Sequence, residues 1–279
     1  MTYILYNPLA NGGRGIRGLD EVQTALAAET PESRDITKLD TAAFFAGLTE
    51  RDRVVLCGGD GTLHRLANDL AGSSPRAELL AWRFGTGNDF LRDITDGKRT
   101  GSPLIPIGPY LTDLPTAEVG GTLHRFLNGC SCGVDAVVCA MMEENRLKPK
   151  RSGYAATALG SFFKKYKPIR ARVTVDGETR VYDRLWMAAA MNGRYQGGGM
   201  RFAPAQDRRG DTLCCMVWHG TSPLGTLLRF PFVIPGWHTR FPMCDIRFGR
   251  EIAVELEAPT FLQFDGEVLS GVTGYIARK

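Results

Sequence analysis

Three glycine-rich turns, each following a stretch that predicts a β-strand, constrain this sequence more than any other feature. They occupy residues 7–13, 58–62 and 85–90. Glycine lets the backbone approach a ligand without side-chain bulk, and backbone N–H groups in such a turn can bind an anion. Where a helix follows the turn, its N-terminus adds partial positive charge. Three such turns at one edge of a sheet predict a site for a phosphate-containing ligand.

The spacing of apolar residues predicts two domains of different class. Up to about residue 102, strand patterns alternate with helix patterns, which predicts a parallel sheet with helices on both faces and a ligand site at the carboxyl ends of its strands. Beyond that point, strand patterns follow one another across glycine and Asp-Gly turns, as in a mainly antiparallel β-sandwich, with helical stretches at 134–144 and 153–165. The predicted strands are 122–128, 170–175, 178–182, 185–192, 212–218, 244–248, 252–257 and 261–264. We therefore expect an α/β domain at 1–102 and a β-rich domain at 103–269. The tail, 270–279, predicts a strand that could return to the first domain.

Composition and charge exclude several classes of protein. Hydrophobic residues make up 43% and charged residues 23% of the 279 residues, which is typical of a folded globular protein. No apolar run reaches the roughly 18 to 20 residues of a membrane-spanning helix, so we expect a cytoplasmic protein without a transmembrane segment. Seven cysteines without a C-x-x-C pair and four scattered histidines favour neither a disulfide framework nor a zinc site. A net charge of +4 is too small to indicate nucleic acid as a partner.

Two segments are candidates for contact with a membrane surface. Residues 148–172 carry eight Lys and Arg residues, four aromatic residues and no acid, a pattern that can adhere to anionic lipid. Residues 227–241 combine aromatic, proline and basic residues and could dip into the headgroup layer. Each has a simpler interpretation: a solvated helix face for the first, and the end of a core helix with its loop for the second. The protein could thus lie peripherally at the inner membrane surface.

Two familiar phosphate-binding motifs do not explain the glycine turns. The sequence contains no G-x-x-x-x-G-K-[ST], so a Walker-type loop is excluded. Residues 13–18 do match G-x-G-x-x-G, and Asp35 lies near the position of a ribose-binding acid. However, that motif should follow its strand directly, whereas here residues 7–12 intervene. A nicotinamide-dependent dehydrogenase would also leave the second and third turns without a role.

The motif Gly-Gly-Asp-Gly-Thr at 58–62 resembles the signature shared by diacylglycerol kinases, sphingosine and ceramide kinases, NAD kinases and, more distantly, phosphofructokinases. Further motifs occur in the order found in the diacylglycerol kinase catalytic family: Asn7-Pro8, residues 85–90, Phe126-Leu127-Asn128, Gly133, Asp135, Asn192-Gly193, residues 197–200, Ala203-Pro204 and Asp265-Gly266-Glu267. The match covers nearly the whole chain and is most similar to the bacterial soluble lipid kinases. The resemblance implies a fold like that of NAD and diacylglycerol kinases. It also implies ATP- and Mg²⁺-dependent transfer of the γ-phosphate to a lipid hydroxyl, with diacylglycerol as the expected acceptor.

The same resemblance implies which residues bind the nucleotide and the metal ion. The expected ATP contacts are Asn7, Pro8, Leu9, Ala10, Asn11, Thr37, Gly58, Gly59, Asp60, Gly61, Thr62, Leu63, His64 and Thr86. Gly85, Gly87, Asn88 and Asp89 are expected at the cleft between the domains. Asp60 would act on the phosphates through Mg²⁺, which takes only one or two carboxylates from protein, although a carboxylate there could instead cap its helix. Asp211 could supply the acid of a structural Mg²⁺ site, with a shifted register.

The tripeptide Asp-Gly-Glu occurs twice, and the two copies have different predicted roles. Residues 176–178 lie between two strand patterns and predict a hairpin turn. Asp265 and Glu267 coincide with the catalytic position of the family, and on an extended segment they would point to the same side. Phosphate transfer to an alcohol needs a carboxylate to accept the hydroxyl proton, and the sequence does not assign that role to one of the two. The hypothesis is that changing both to amides abolishes activity without unfolding the protein.

Two alternative functions remain open at the level of sequence. One is a kinase of a soluble acceptor such as NAD. The other is a nucleotide-binding regulator without catalysis. It stays open because His64 and Arg65 stand where the family usually has Asn and Glu, although Asn68 matches again. Nothing in the sequence identifies a protein partner, and the sequence allows a homodimer.

Overall fold

A computed structural model describes residues 1–13, 15–73, 75–83, 87–98, 101–146 and 166–279. The chain forms two compact units, Met1–Leu114 and Pro115–Lys279. The division falls later than the boundary expected after residue 102. The reason is the short strand Leu104–Pro106, which pairs with the sheet of the first unit.

The first unit is built on a five-stranded sheet. Its strands are β1 (Thr2–Tyr6), β2 (Glu32–Asp35), β3 (Arg53–Gly58), β4 (Glu78–Arg83) and β5 (Leu104–Pro106), in the order β2-β1-β3-β4-β5. The first four are parallel to their neighbours, and β5 is antiparallel to β4. The helices are α1 (Ala10–Gly13), α2 (Gly15–Ala25), α3 (Thr41–Ala46), α4 (Asp60–Asp69) and α5 (Asp89–Ile94). The predicted α/β class is confirmed.

Residue register aligns the ends of the parallel strands. Tyr6 at the end of β1 pairs with Asp35 on one side and Cys57 on the other, and Gly58 pairs with Arg83. The segments that follow these strands therefore begin at the same edge of the sheet. One face of this sheet packs against α2 in a single apolar cluster, which includes Ile4, Val55, Leu80, Leu19, Val22 and Leu26.

The second unit is mainly antiparallel, as predicted. Its strands are β6 (Thr116–Val119), β7 (Thr122–Arg125), β8 (Gly129–Gly133), β9 (Ile169–Val175), β10 (Glu178–Met191), β11 (Leu213–His219), β12 (Cys244–Gly249), β13 (Glu251–Phe264) and β14 (Glu267–Arg278), and its helices are α6 (Val134–Arg146) and α7 (Pro223–Arg229). Within the described residues they form one nine-stranded sheet in the order β12-β11-β10-β8-β13-β14-β6-β7, while β9 pairs with both β10 and β13. The tail lies in β14, so it belongs to this unit and does not return to the first.

Side-chain alternation along β10 explains the two apolar clusters of this unit. Ala188 and Ala190 belong to one cluster, whereas Met187, Ala189 and Met191 belong to the other. This is the period of two expected of a strand that is buried on both faces. Most of the basic segment at 148–172 and the predicted helix at 153–165 fall outside the described residues. Tyr166 is one of the four aromatic residues of the segment that could contact a membrane surface. In the structure it is buried, and its hydroxyl donates to the Leu185 carbonyl oxygen at 3.0 Å.

None of the helices in the part of the chain that the structure describes is both long and apolar enough to cross a membrane.

Candidate functional site

Asn7 fixes the first glycine turn against the second. Its amide Nδ2 donates to the Thr62 hydroxyl at 2.9 Å, and its Oδ1 accepts from the Leu9 backbone N–H at 2.9 Å. The backbone of Asn7 also donates to the Cys57 carbonyl at the end of β3. The side chain therefore shapes the turn after β1 and holds it against the start of α4. Within this turn, Leu9 is exposed and Ala10 is buried.

Gly15 is a residue of this region to which sequence reasoning gave no role. A Cβ atom at Gly15 would overlap the Asn7 carbonyl oxygen. Only glycine therefore allows the start of α2 to lie directly against the first turn. In the sequence, Gly15 is the second glycine of the G-x-G-x-x-G match at 13–18. This match could have indicated that Gly15 is needed, although it does not fit a dinucleotide-binding motif.

The second turn places a glycine at the N-terminus of α4. Gly59 is the N-cap residue, so the N-cap position carries no side chain that could cap this helix end. A Cβ atom at Gly59 or Gly61 would meet nothing within 4 Å, whereas one at Gly58 would lie 2.6 Å from the Cβ of Thr62. Gly58 is thus required by packing, but Gly59 and Gly61 are not. Their effect is to leave open space in front of a helix N-terminus, where backbone N–H groups can bind an anion.

Asp60 connects the second turn to the third. Its carboxylate accepts the backbone N–H of Asp89 through Oδ2 and that of Phe90 through Oδ1, each at 3.1 Å. Asp60 therefore caps α5, a contact that the sequence interpretation of Asp60 as a cap of its own helix did not include. Gly87 is part of the same contact, since a Cβ there would lie 3.0 Å from Asp60 Oδ2.

Asn88 and Asp89 shape the end of the third turn. Asn88 has a left-handed backbone with φ of 50°, which asparagine tolerates better than most residues, and it is the N-cap of α5. Asp89 is buried at the first position of that helix. Gly85 and Thr86, predicted to bind ATP or line the cleft, lie outside the described residues.

Thr37 lies just beyond β2 at the same edge of the sheet. Its hydroxyl and its backbone N–H both donate to Asp35 Oδ1, at 2.7 and 2.9 Å. The hydroxyl hydrogen bond is the main reason why the pKa of Asp35 lies below its ordinary value. Asp35 therefore positions Thr37 and does not serve the ribose-binding role of a dinucleotide fold.

His64 and Arg65 differ from the family pattern but are occupied within α4. His64 is buried, and its Nε2 lies 3.2 Å from the Asn68 amide nitrogen. Arg65 is exposed and lies 3.7 Å from Asp69, one turn along the helix. Leu63 is buried as well. The side chains of Leu63 and His64 thus belong to the body of the helix, whereas that of Arg65 is exposed beside Asp69.

In the second unit, Asp265 anchors a backbone segment. Its Oδ1 accepts the N–H groups of Asn128 and Gly129 at 2.7 and 3.1 Å, and its Oδ2 accepts that of Leu127 at 2.5 Å. The three donors are buried. A carboxylate that accepts three N–H groups is committed to holding its neighbours in place. We conclude that Asp265 orders the segment before β8.

The two Asp-Gly-Glu tripeptides form the same kind of turn. Asp265 and Gly266 have φ of 50° and 99° and join β13 to β14, while Asp176 and Gly177 have φ of 47° and 86° and join β9 to β10. Positive φ at both central residues is the signature of the hairpin turn that Asp-Gly favours. The prediction that Asp265 lies on an extended segment is therefore wrong. Glu267 is the first residue of β14 and is exposed.

Both turns also use the aspartate in the same way. The Asp176 carboxylate accepts the backbone N–H groups of Arg250 and Glu251, each at 2.9 Å. The difference is burial, because Arg250 and Glu251 are exposed whereas the donors to Asp265 are not. The 176–178 copy provides a structural control for the 265–267 copy within the same unit.

A buried polar cluster includes Gln263, which precedes Asp265 by two residues in the chain. Asp135, at the start of α6, accepts from the Ser131 hydroxyl and, at 3.3 Å, from the Gln263 amide. Gln263 also donates to Ser131 at 2.6 Å, and among the described residues Asp135 Oδ1 has no hydrogen-bond partner. Burial raises the pKa of Asp135 from its ordinary 3.8 to about 6, against the lowering effect of the Ser131 hydroxyl.

Asp135→Asn is expected to change how stability depends on pH. Between about pH 4 and 6, Asp135 keeps its proton in the folded protein but loses it in the unfolded chain. The contribution of Asp135 to the free energy of unfolding therefore falls as the pH rises from about 4 to 6. The pKa difference corresponds to about 3 kcal/mol. Relative to the Asn variant, the wild type should therefore lose about this much unfolding free energy between pH 4 and pH 8. Urea unfolding of both proteins at several pH values measures the difference, and parallel curves would contradict the assignment.

Asp211 pairs with an arginine at the surface. The Arg250 guanidinium contacts its carboxylate and holds the pKa of Asp211 below its ordinary value. A cation at this position would have to displace the guanidinium. No group of three His, Cys, Asp or Glu side chains suited to a metal ion occurs among the described residues. The structural Mg²⁺ site at Asp211 stays a prediction.

Two family models match the chain, one for each unit. The model described as the diacylglycerol kinase catalytic domain matches residues 1–107. The model described as the YegS C-terminal NAD kinase beta sandwich-like domain matches residues 128–276, more than half of the chain.

Curated relatives carry names of the same kind. A Pseudomonas fluorescens protein named "Probable lipid kinase YegS-like" is 33% identical over 182 residues, which are 63% of this chain and 56% of the relative. The chain thus matches only about half of that relative's length. A Bacillus subtilis protein named "Putative lipid kinase YtlR" is 23% identical over 96% of this chain and 93% of its own.

A solved structure is similar to the whole chain. The crystal structure of a diacylglycerol kinase from Bacillus anthracis is 20% identical and covers 99% of this chain and 92% of its own, with a TM-score of 0.64. At this identity, the similarity shows a shared fold.

Proposed function

Because this chain belongs to the family that joins a diacylglycerol kinase catalytic domain to a YegS C-terminal domain, we propose that it is an ATP-dependent lipid kinase. The proposed reaction transfers the γ-phosphate of ATP to a lipid hydroxyl, with diacylglycerol as the acceptor. The proposed location is the cytoplasm, with peripheral contact at the inner membrane surface where the acceptor resides.

The open space at Gly59 and Gly61, in front of the N-terminus of α4, is the observation that carries this proposal. Gly59 and Gly61 open onto empty space, while hydrogen bonds from Asn7 to Thr62 and from the Asp89 and Phe90 backbones to Asp60 hold the surrounding turns in place. A polyphosphate needs several N–H donors in a fixed arrangement, and preorganised donors cost no rearrangement when the ligand binds. These residues therefore fit the phosphates of ATP, supported by Thr37 at the same sheet edge.

Mg²⁺ would supply charge neutralisation for the phosphates when it is bound. Among the described residues, Asp60 is a candidate for contact with this ion. Both of its carboxylate oxygens already accept a backbone N–H group, but a carboxylate oxygen can accept more than one partner. Asp60 therefore fits a contact with Mg²⁺ through water molecules. We propose that Asp60 holds the second and third turns together and orients water around the ion.

We propose that Glu267 accepts the proton of the lipid hydroxyl and that Asp265 positions Glu267. The proton acceptor must approach the reacting oxygen closely, which an exposed carboxylate at the start of β14 can do. The Asp265 carboxylate is instead engaged with three backbone N–H groups. The exposure of Glu267 and the three hydrogen bonds to Asp265 support this division of roles between the two acids.

A radiolabel-transfer assay tests the function. Purified protein is incubated with [γ-³²P]ATP, Mg²⁺ and micelles containing diacylglycerol, ceramide, sphingosine or undecaprenol, with NAD in parallel. Label is expected in diacylglycerol, and its loss on adding EDTA would show the need for a divalent ion.

The Gly61→Ala variant, assayed alongside, should be as stable as the wild type or more so, since alanine favours a helix by roughly 1 kcal/mol over glycine. It should nevertheless have a raised KM for ATP, because the added methyl group occupies the open space.

Each other outcome of the assay contradicts part of the proposal. Label in NAD alone would show a kinase of a soluble acceptor. Retained ATP binding without any transfer would show a regulator, the function that His64 and Arg65 kept open in the sequence. An unchanged KM in the Gly61→Ala variant would show that the phosphates bind elsewhere. Gly58→Ala is the contrasting variant, because its methyl group would collide with Thr62 and should destabilise the first unit.

A further inference from the structure

The second unit exposes a concentration of large apolar side chains on one short segment. Among the described residues, eleven large apolar side chains are exposed, and five of them lie between residues 224 and 237, with exposures from 39% to 63%. We call these five the apolar face: Leu224, Leu228, Phe232, Ile234 and Trp237. Scattered exposed apolar residues need no explanation, but a concentration of this kind indicates an interaction surface.

Neighbouring residues of the same segment are packed into the core, so the apolar face has a fixed conformation. Leu227, Phe230 and Val233 belong to the apolar cluster around Trp218. His238 is fully buried, and its Nε2 lies 3.0 Å from the Phe202 carbonyl oxygen. Buried and exposed residues thus alternate along α7 and the turns that follow it. The sequence interpretation of this segment as the end of a core helix describes only its inner side.

The charged residues on the segment that carries the apolar face have a single sign. No Asp or Glu occurs from Thr212 to Cys244, whereas Arg229 and Arg240 are exposed on the segment itself. A surface that remained in water would gain solubility from mixed charges. A surface with apolar side chains, a tryptophan and flanking arginines matches the interface of an anionic bilayer, where the apolar groups enter the acyl boundary and the arginines meet the lipid phosphates.

We infer that the apolar face, with Arg229 and Arg240, is the surface through which this protein docks on an anionic lipid bilayer. This inference rests on the proposed lipid kinase function, since a bilayer-embedded acceptor requires the enzyme to reach the membrane. It assigns that contact to residues 224–240.

Vesicle cosedimentation of the double variant Ile234→Ser with Trp237→Ser tests the inference. Large unilamellar vesicles of phosphatidylglycerol and phosphatidylcholine serve as the membrane. The variant is expected to bind about a hundredfold more weakly, since each of the two large apolar side chains withdrawn from water contributes roughly a factor of ten. The matched control replaces Leu123 and Val181 with serine, because these residues are 61% and 51% exposed elsewhere in the same unit. Control binding equal to wild type is expected, and equal binding by both variants would overturn the inference.

The charged part of the surface has its own test. Arg229→Gln with Arg240→Gln should weaken binding to vesicles that contain phosphatidylglycerol, and 1 M NaCl should weaken wild-type binding by screening the same contacts. If these changes leave binding to anionic vesicles unaltered, the electrostatic part of the inference is wrong. If instead the wild type is a dimer that Ile234→Ser with Trp237→Ser converts to a monomer without loss of vesicle binding, the apolar face joins two copies and the inference fails.

Activity on two forms of one acceptor separates this inference from the proposed function. On a short-chain diacylglycerol below its critical micelle concentration, the Ile234→Ser, Trp237→Ser variant should have wild-type activity. On diacylglycerol embedded in vesicles it should lose activity by the factor by which its binding falls. Equal loss on both forms would overturn the docking role. A wild type that binds vesicles through this face but phosphorylates neither form would leave the docking surface standing and contradict the kinase.

Discussion

Replacing Glu267 with glutamine is expected to lower kcat for phosphate transfer by about 10²- to 10⁴-fold, the range that general-base catalysis contributes. Glutamine has the size of glutamate but cannot accept the hydroxyl proton at neutral pH. Because the side chain is exposed at the start of β14, the variant should keep its thermal unfolding temperature and its KM for ATP. Steady-state kinetics with diacylglycerol micelles, together with calorimetry, measure these quantities.

Glu178→Gln is the matched control for this prediction. Glu178 occupies the same position in the other Asp-Gly-Glu hairpin, is exposed, and pairs with Arg180 at 2.8 Å. An exposed ion pair contributes about 0–1 kcal/mol, so this variant should retain both activity and stability. Wild-type kcat in the Glu267→Gln protein would remove the residue from the proposed reaction, and equal losses in both variants would point to a general effect of the hairpins.

Asp265→Ala is expected to destabilise the second unit by about 3 kcal/mol or more. The substitution leaves three buried backbone N–H groups without their acceptor, and each such loss costs roughly 1–3 kcal/mol. Hydrogen–deuterium exchange of the peptide containing Leu127 to Gly129 measures the effect at the site itself. Exchange there should become at least about a hundredfold faster, which corresponds to about 3 kcal/mol of local opening free energy.

Asp176→Ala controls for the backbone conformation of the turn. Alanine is equally unfavourable at φ of 47° and 50°, so that contribution is common to both variants. The donors to Asp176 are exposed and can bond to water instead, so we expect a smaller loss of stability than at Asp265. Equal losses in the two variants would contradict the anchoring role of Asp265.

The anchoring role revises the hypothesis that the double amide variant stays folded. Asparagine at 265 tolerates the left-handed backbone and keeps one oxygen, but its NH₂ group would replace an acceptor with a donor facing a backbone N–H. Loss of activity in a double amide variant would therefore combine a catalytic and a structural effect. The single variants at 265 and 267 are needed to separate them.

Local signals in the sequence predicted most of the first unit. Apolar β-branched runs such as 53–57 end at glycine turns, and the structure has strands ending at those places, with β3 extending to Gly58. The three turns also come together as expected, through Asn7, Thr62 and Asp60. These predictions succeeded because strand propensity, turn residues and helix starts are properties of neighbouring residues.

Several strands of the second unit were wrong in extent or absent from the prediction. Polar residues between Tyr182 and Leu185 suggested two strands, but β10 continues through an irregular pairing there. β8, with the sequence Gly-Cys-Ser-Cys-Gly, carries no β-branched residue and was not predicted at all. It forms a strand because its neighbours β10 and β13 pair with it on both sides.

Short motifs and their order encode the class of each unit, the position of the glycine turns and the family, so these could be predicted without a structure. The cap that Asp60 forms on α5 and the anchoring of the segment before β8 by Asp265 are seen only in the folded chain. The residues that make these contacts lie far apart in the sequence. Asp265 and its donors are separated by more than a hundred residues, and a hydrogen bond between groups so far apart in sequence leaves no local pattern from which it could be predicted.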